Sequence, residues 1–288
     1  MEGPKSFKPY MQAYFTKAKR FLWWSEAVGV GVGGLAIVAV FIPTDPSWAS
    51  WALAVCSFVL LAVQQVLGIV FRDWYEKAEA VRRRYLVTDG LGLEVSPQEY
   101  KRLEAEVGSP PDDGKPYYTS RFSASPARLL MLTWESAFWS EDLQKRLVGR
   151  FAARSLVALV VSVVAVLLIL RGDEGDVAAQ LIPPSLALVM SLNLGGKWYS
   201  ASQAHRECKD VCTKCEDRIR RNIREEAEED EVAEVMQMVL DQAAVMLTAY
   251  PVPDAEKKKQ EQRLDKAWQE TEAWAATTEW GKQEGQEP

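Results

Sequence analysis

Four apolar runs interrupt an otherwise charged chain, at about residues 21–42, 48–71, 151–170 and 178–196. A helix of some twenty residues covers about 30 Å, the hydrocarbon thickness of a bilayer. Short polar links join the runs in pairs, Pro43-Thr44-Asp45-Pro46-Ser47 in the first and residues 171–177 in the second. The pattern predicts an all-α membrane protein with four transmembrane helices arranged as two hairpins, a cytoplasmic helical domain and no β-sheet. A soluble α/β enzyme would instead show short strand-period apolar runs along its whole length.

Between the runs, helix signals recur. Residues 1–20 form a basic, aromatic interfacial segment, and residues 21–71 the first hairpin. In the cytoplasmic insertion, residues 72–150, the second helix continues to about Asp89 and is ended by Gly90 and Gly92. Ser96-Pro97-Gln98-Glu99 reads as an N-cap, a first-position proline and a capping-box glutamate. Ser125-Pro126 opens another helix to about Phe138, and Ser140-Glu141-Asp142 looks like a fresh cap for the next. The apolar stretch 129–139 is too short to span and should pack under the bundle or lie at the interface. The second hairpin occupies residues 151–196, a stalk with amphipathic helices 197–250, and a charged helix with a tail 251–288.

Charge fixes the expected threading. Residues 72–154 carry fourteen basic side chains, whereas the two exterior links carry only Arg171. By the positive-inside rule both termini and the middle region face the cytoplasm, across a cell inner (plasma) membrane. The first apolar run is too long for a secretory h-region and leads directly into another. Hydrophobic residues make up 48% of the chain, consistent with apolar residues concentrated in blocks.

Candidate chemistry is sparse. Gly29, Gly31 and Gly34 satisfy G-x-G-x-x-G, but no strand precedes them and no later acid follows, so dinucleotide binding is excluded. Gly29 and Gly33, like Ala187, Ser191 and Gly195, read as small-residue faces for helix packing. Glu26, Gln64, Gln65 and Asn193 are the intramembrane polar positions; the glutamines need partners across a helix interface, or line a pore. Arg82, Arg83 and Arg84, with Arg218, Arg220 and Arg221, form basic clusters for anionic lipid headgroups or an acidic partner, or else solvated helix faces.

His205, Cys208, Cys212 and Cys215 are the most specific-looking cluster. Their C-x3-C-x2-C part resembles a radical-SAM loop, but the flanks read as continuous helix. On a helix these positions share one face, with Ile219 and Asn222 prolonging it, and Cys215 lies about 15 Å along the axis from His205. That is too long for one tetrahedral site. A buried helix seam is therefore expected, with an inter-chain metal site as the sharper alternative. With one histidine in the chain, no paired nucleophile and base is found, and no enzyme activity or cofactor is expected.

The two halves share one plan: an aromatic-basic approach, a hairpin, then a helix with clustered arginines, VRRRYLV at 81–87 and EDRIRRNIR at 216–224. This layout resembles bacterial SLATT-type and SMODS-associated four-transmembrane effectors. The resemblance implies a non-enzymatic, self-associating, signal-responsive membrane effector or pore, likened to proteins thought to disrupt the inner membrane. The alternative is a membrane-anchored scaffold recruiting a cytoplasmic protein partner. The expected partners are the lipid bilayer and further copies of the chain, not a nucleic-acid polymer.

Overall fold

Helices α1 (Lys8–Phe41), α2 (Ser47–Leu91), α3 (Pro97–Val107), α4 (Pro126–Arg171), α5 (Leu194–Arg220), α6 (Glu229–Thr248) and α7 (Asp254–Thr277) succeed one another in a computed structural model. It describes residues 6–41, 47–112, 114, 117–118, 120, 122–171, 194–221 and 229–277, and among them every regular element is helix. The all-α expectation holds. Of the described helices, one segment, Trp51–Leu91, is long and apolar enough to cross a bilayer, and none of its apolar window is buried. Length and apolarity thus give one candidate span, not four. Residues 42–46 and 172–193, with Ala187, Ser191 and Asn193, lie outside the described residues.

Contacts divide the chain into two units. The first comprises Met1–Phe15, Tyr75–Leu147 and Ser200–Pro288, and the second comprises Thr16–Trp74 and Val148–Tyr199. In the first, α4 is central: residues 129–137 are buried without exception, Thr133, Glu135 and Ser136 included. The apolar stretch that is too short to span is thus a core helix of this unit. Trp134 stands edge-on to Trp268 of α7 at 5.6 Å, and α7 docks through a stripe at Gln260, Leu264, Trp268, Glu272 and Ala275. Helices α5 and α6 pair antiparallel, joined by Arg218–Glu234 at 3.0 Å and Lys214–Asp241 at 2.7 Å.

One expected helix cap is not formed, and another forms without its reciprocal glutamate contact. Helix α4 runs unbroken through Ser140, whose buried hydroxyl donates to the Ser136 carbonyl at 2.7 Å instead of capping a new helix. With solvent excluded from this turn, the serine satisfies itself one turn back along the same helix. At α3, Ser96 does cap, accepting from the Gln98 N–H at 3.3 Å. The Glu99 carboxylate, however, pairs with Arg84 and does not complete a capping box through its side chain.

In the second unit, α1 and α2 face each other through two seams spaced three and four residues apart. On α1 the buried or half-buried positions include Ala18, Leu22, Ser25, Gly29 and Val32; on α2 the half-buried ones include Leu53, Ser57, Leu60, Gln64, Leu67, Phe71 and Trp74. The Ser25 hydroxyl donates to the Gln64 carbonyl at 3.4 Å, and Lys17 Nζ lies 4.6 Å from the centre of the Trp74 ring. This is the knobs-into-holes spacing of an antiparallel helix pair.

Helix α2 ends at Gly92, whose φ of 65° suits glycine. Gly90 does something else. A Cβ there would lie 2.8 Å from the Leu129 Cα, so the residue lets α2 and α4 meet backbone to side chain. Helix propensity alone predicts that Gly90→Ala stabilises by about 1 kcal/mol. The clash predicts the opposite sign, a loss of about 1–3 kcal/mol. Thermal unfolding of the variant decides between them, and a raised midpoint would show that the contact opens freely.

Candidate functional site

The first unit buries a charge. Arg82, 8% exposed, donates from Nη1 to both carboxylate oxygens of Glu79 at 3.2 Å. Its Nε–H donates to the Tyr118 hydroxyl at 3.3 Å, and its Nη2 reaches Ser136. Tyr118 in turn donates to Ser136 Oγ at 3.3 Å, and Tyr75 bonds the Glu79 carboxylate. Burial pushes the Glu79 carboxyl up against the pull of Arg82. The same burial opposes the charge on Arg82, yet Glu79 beside it holds the guanidinium above its ordinary value. Burial would raise the neighbouring Tyr117, but Lys257, donating to its hydroxyl at 3.4 Å, and Arg82 bring it down.

This corrects the reading of Arg82 as part of a surface patch: it is buried and paired, and cannot meet a headgroup. The other arginines singled out from sequence are placed differently. Arg84 pairs with Glu99, Arg220 with Glu216, and Arg218 and Arg221 with Glu234, the last at 3.8 Å. Arg220 also lies 5.6 Å from the centre of the Trp274 ring. Arg83 is half-buried on α2.

Arg83 and Arg84 line an open groove of about 730 Å³, together with Arg102 of α3. The groove's apolar wall is Phe7, Val87, Met236 and Leu240, drawn from α6 and the other elements of this unit. No described carboxylate forms an ion pair with Arg83 or Arg102. Sequence reading missed Arg102 and the α6 wall, because their convergence depends on tertiary packing.

The cysteines lie on and beside a seam. In the first unit the buried positions on α5 are Ala201, Ala204, Cys208, Val211, Cys215 and Ile219, spaced three and four apart. Cys208 packs with Val245 and Met246 of α6 and with Ala249 just beyond it, and Cys215 Sγ lies 3.9 Å from Met238 Sδ. His205 and Cys212 flank the seam, with His205 Nδ1 3.3 Å from the Glu141 carbonyl; Asn222 is outside the described residues. Among the described residues, no three His, Cys, Asp or Glu side chains converge to hold a metal.

In the second unit Glu26 is half-buried and accepts from Lys197 Nζ at 2.7 Å, linking α1 to α5. Gln64 sits on the α2 seam and Gln65 is exposed. Gly29 and Gly33 are buried, whereas Gly195 is exposed and a Cβ there would meet nothing within 4 Å. Comparisons with protein-family models, curated proteins and solved structures found no match.

Arg82→Met removes the partner of a buried carboxylate and is expected to cost about 3–5 kcal/mol, read as a lowered unfolding midpoint. A midpoint within error of the parent would mean that water reaches Glu79.

Burial also raises the Cys208 and Cys215 thiols from 9.0 to about 12. Below the unfolded value both states stay protonated and the contribution is intact. As pH rises through the window between 9.0 and about 12, the unfolded chain ionises first and stability falls. Melting temperature is therefore expected to drop across that window, less steeply in the Cys208→Ala, Cys215→Ala variant. Near neutral pH, a thiol reagent should reach these two residues only after denaturation; labelling of the native protein would contradict the seam.

Proposed function

We propose that the chain is a multi-pass protein of the cell inner membrane that self-associates and acts as a non-enzymatic, signal-responsive effector or pore. The observation that carries this reading is unburied apolar surface. No residue from Trp51 to Trp74 is buried, and Trp51 and Phe58 are each 73% exposed. Val30 on α1 and Leu156, Val157 and Val160 on α4 add to the same unit's exposed apolar surface. In water each large side chain left uncovered forfeits about 1.5–3 kcal/mol of burial, and patches this extensive mark a membrane or a partner. Lipid supplies the cover for every side of a helix at once. Seams shielded on one side and apolar residues exposed on the others are what a helix pair in hydrocarbon requires.

Self-association is supported by α1. Ala27, Gly31 and Gly34 are exposed, and a Cβ on either glycine would meet nothing within 4 Å. Small residues at that spacing let another helix approach closely. The four-span, two-hairpin topology with both termini inside belongs to this proposal, on the strength of the basic asymmetry across residues 72–154.

After inducible expression in bacterial cells, the protein is expected to remain in the membrane pellet through an alkaline carbonate wash. Cells are expected to depolarise, read with a voltage-sensitive dye, and Gly31→Leu to weaken that response. Recovery in the carbonate supernatant would sink the membrane reading. Retention with an unchanged potential at every expression level would sink the effector reading and leave the membrane-anchored scaffold.

A further inference from the structure

We infer that the groove of the first unit binds an organic phosphate, its phosphoryl group held by Arg83 and Arg102 and its apolar or aromatic body laid on Phe7, Val87, Met236 and Leu240. Arg83, Arg84 and Arg102 line the groove with one carboxylate, Glu99, which Arg84 takes up, so the lining keeps a net positive charge that attracts a dianion. Guanidinium keeps its charge at any physiological pH and presents paired N–H donors that match phosphate oxygens. Arg84 differs, because Glu99 already occupies it; it shapes the wall. The Ser96 hydroxyl and the Gln98 amide on the same wall offer further polar contacts.

The four apolar side chains in the same lining discriminate against a bare inorganic ion, which could not use them. The cavity, about 730 Å³, falls within the usual range for small-molecule sites. The inference does not rest on the membrane reading, since every residue it uses belongs to the first unit. The shared chemistry is a phosphate ester with a body to bury, free in solution or at the head of a lipid.

Isothermal titration of the full chain in detergent micelles tests it with three probes: inorganic phosphate, adenosine monophosphate and dihexanoyl phosphatidic acid. At least one organic phosphate is expected to bind more tightly than inorganic phosphate. The double variant Arg83→Gln, Arg102→Gln is expected to weaken that binding by about ten- to a hundredfold. Arg206→Gln, on the exposed face of α5, controls for general charge and for partition into the micelle, and is expected to leave it unchanged.

Preference for the nucleotide identifies a soluble ligand and preference for the phosphatidic acid a lipid one; either supports the site. Equal affinity of the parent and the double variant for all three probes overturns it. So does an equal loss in Arg206→Gln, or inorganic phosphate binding as tightly as both organic probes. Arg102 is exposed, so Arg102→Gln alone repeats the test without touching the core.

Discussion

A buried guanidinium sets the geometry of the first unit. Arginine does not neutralise itself when desolvated, so acceptors fixed by the fold must meet the cost of burying Arg82. Those acceptors come from three separate places: Glu79 one turn back on α2, Tyr118 in the connection between α3 and α4, and Ser136 on α4. The loop and the core helix are therefore positioned by the same planar group. Lysine could carry the charge, but a single ammonium lacks the rigid fork that reaches three acceptors in one plane. Arg128 does related work at the end of α2, donating to the Asp89 carbonyl at 3.2 Å and its carboxylate at 3.0 Å. Together the two arginines hold α2 against α4 at the point where Gly90 lets them touch.

The second unit is governed by the opposite economy. Its seams combine small and amide-bearing residues, Ala18, Ser25, Gly29 and Gln64, with Leu22, Leu53, Leu60, Leu67 and Phe71, while Trp51, Val55, Phe58, Val59, Val66 and Ile69 face outward. A water-soluble helix pair would also cover the outward apolar side chains, because their burial drives association. Where the solvent is itself hydrocarbon that drive vanishes, and close backbone approach with a few polar contacts takes over. The apolar surface left uncovered outside the seams is the physical content of the membrane proposal.

Much of the fold was legible because apolar periodicity and terminal signals are local. The helices, the cap at Ser96 and the stop at Gly92 each depend on neighbours a few residues away. What failed was decided at longer range. Glu99 has a partner, Arg84, fifteen residues back in sequence, and Ser140 is sealed in a core that no local window reveals. The cysteine face had the right three-and-four alternation but the wrong phase: Cys208 and Cys215 are on the seam, while His205 and Cys212 fall beside it. A one-position shift in phase leaves a helical pattern almost unchanged in sequence, yet it moves half of the chosen residues off the contact line.

The arginine triplet shows the same limit in a sharper form. Successive residues on a helix turn by about 100°, so three adjacent arginines cannot form one patch. Arg82 points into the core, Arg84 is exposed beside Glu99, and Arg83 lies between them at the edge of the groove. The second cluster resolves likewise, with Arg218 and Arg221 sharing Glu234 and Arg220 taken up by Glu216 and Trp274. Most of the positive charge that looks available in the sequence is thus spent in knitting helices together. A binding reading gains weight only at a guanidinium that forms no ion pair with a described carboxylate. In the first unit's groove that criterion selects Arg83 from the triplet and adds Arg102, which no run of basic residues in the sequence had marked.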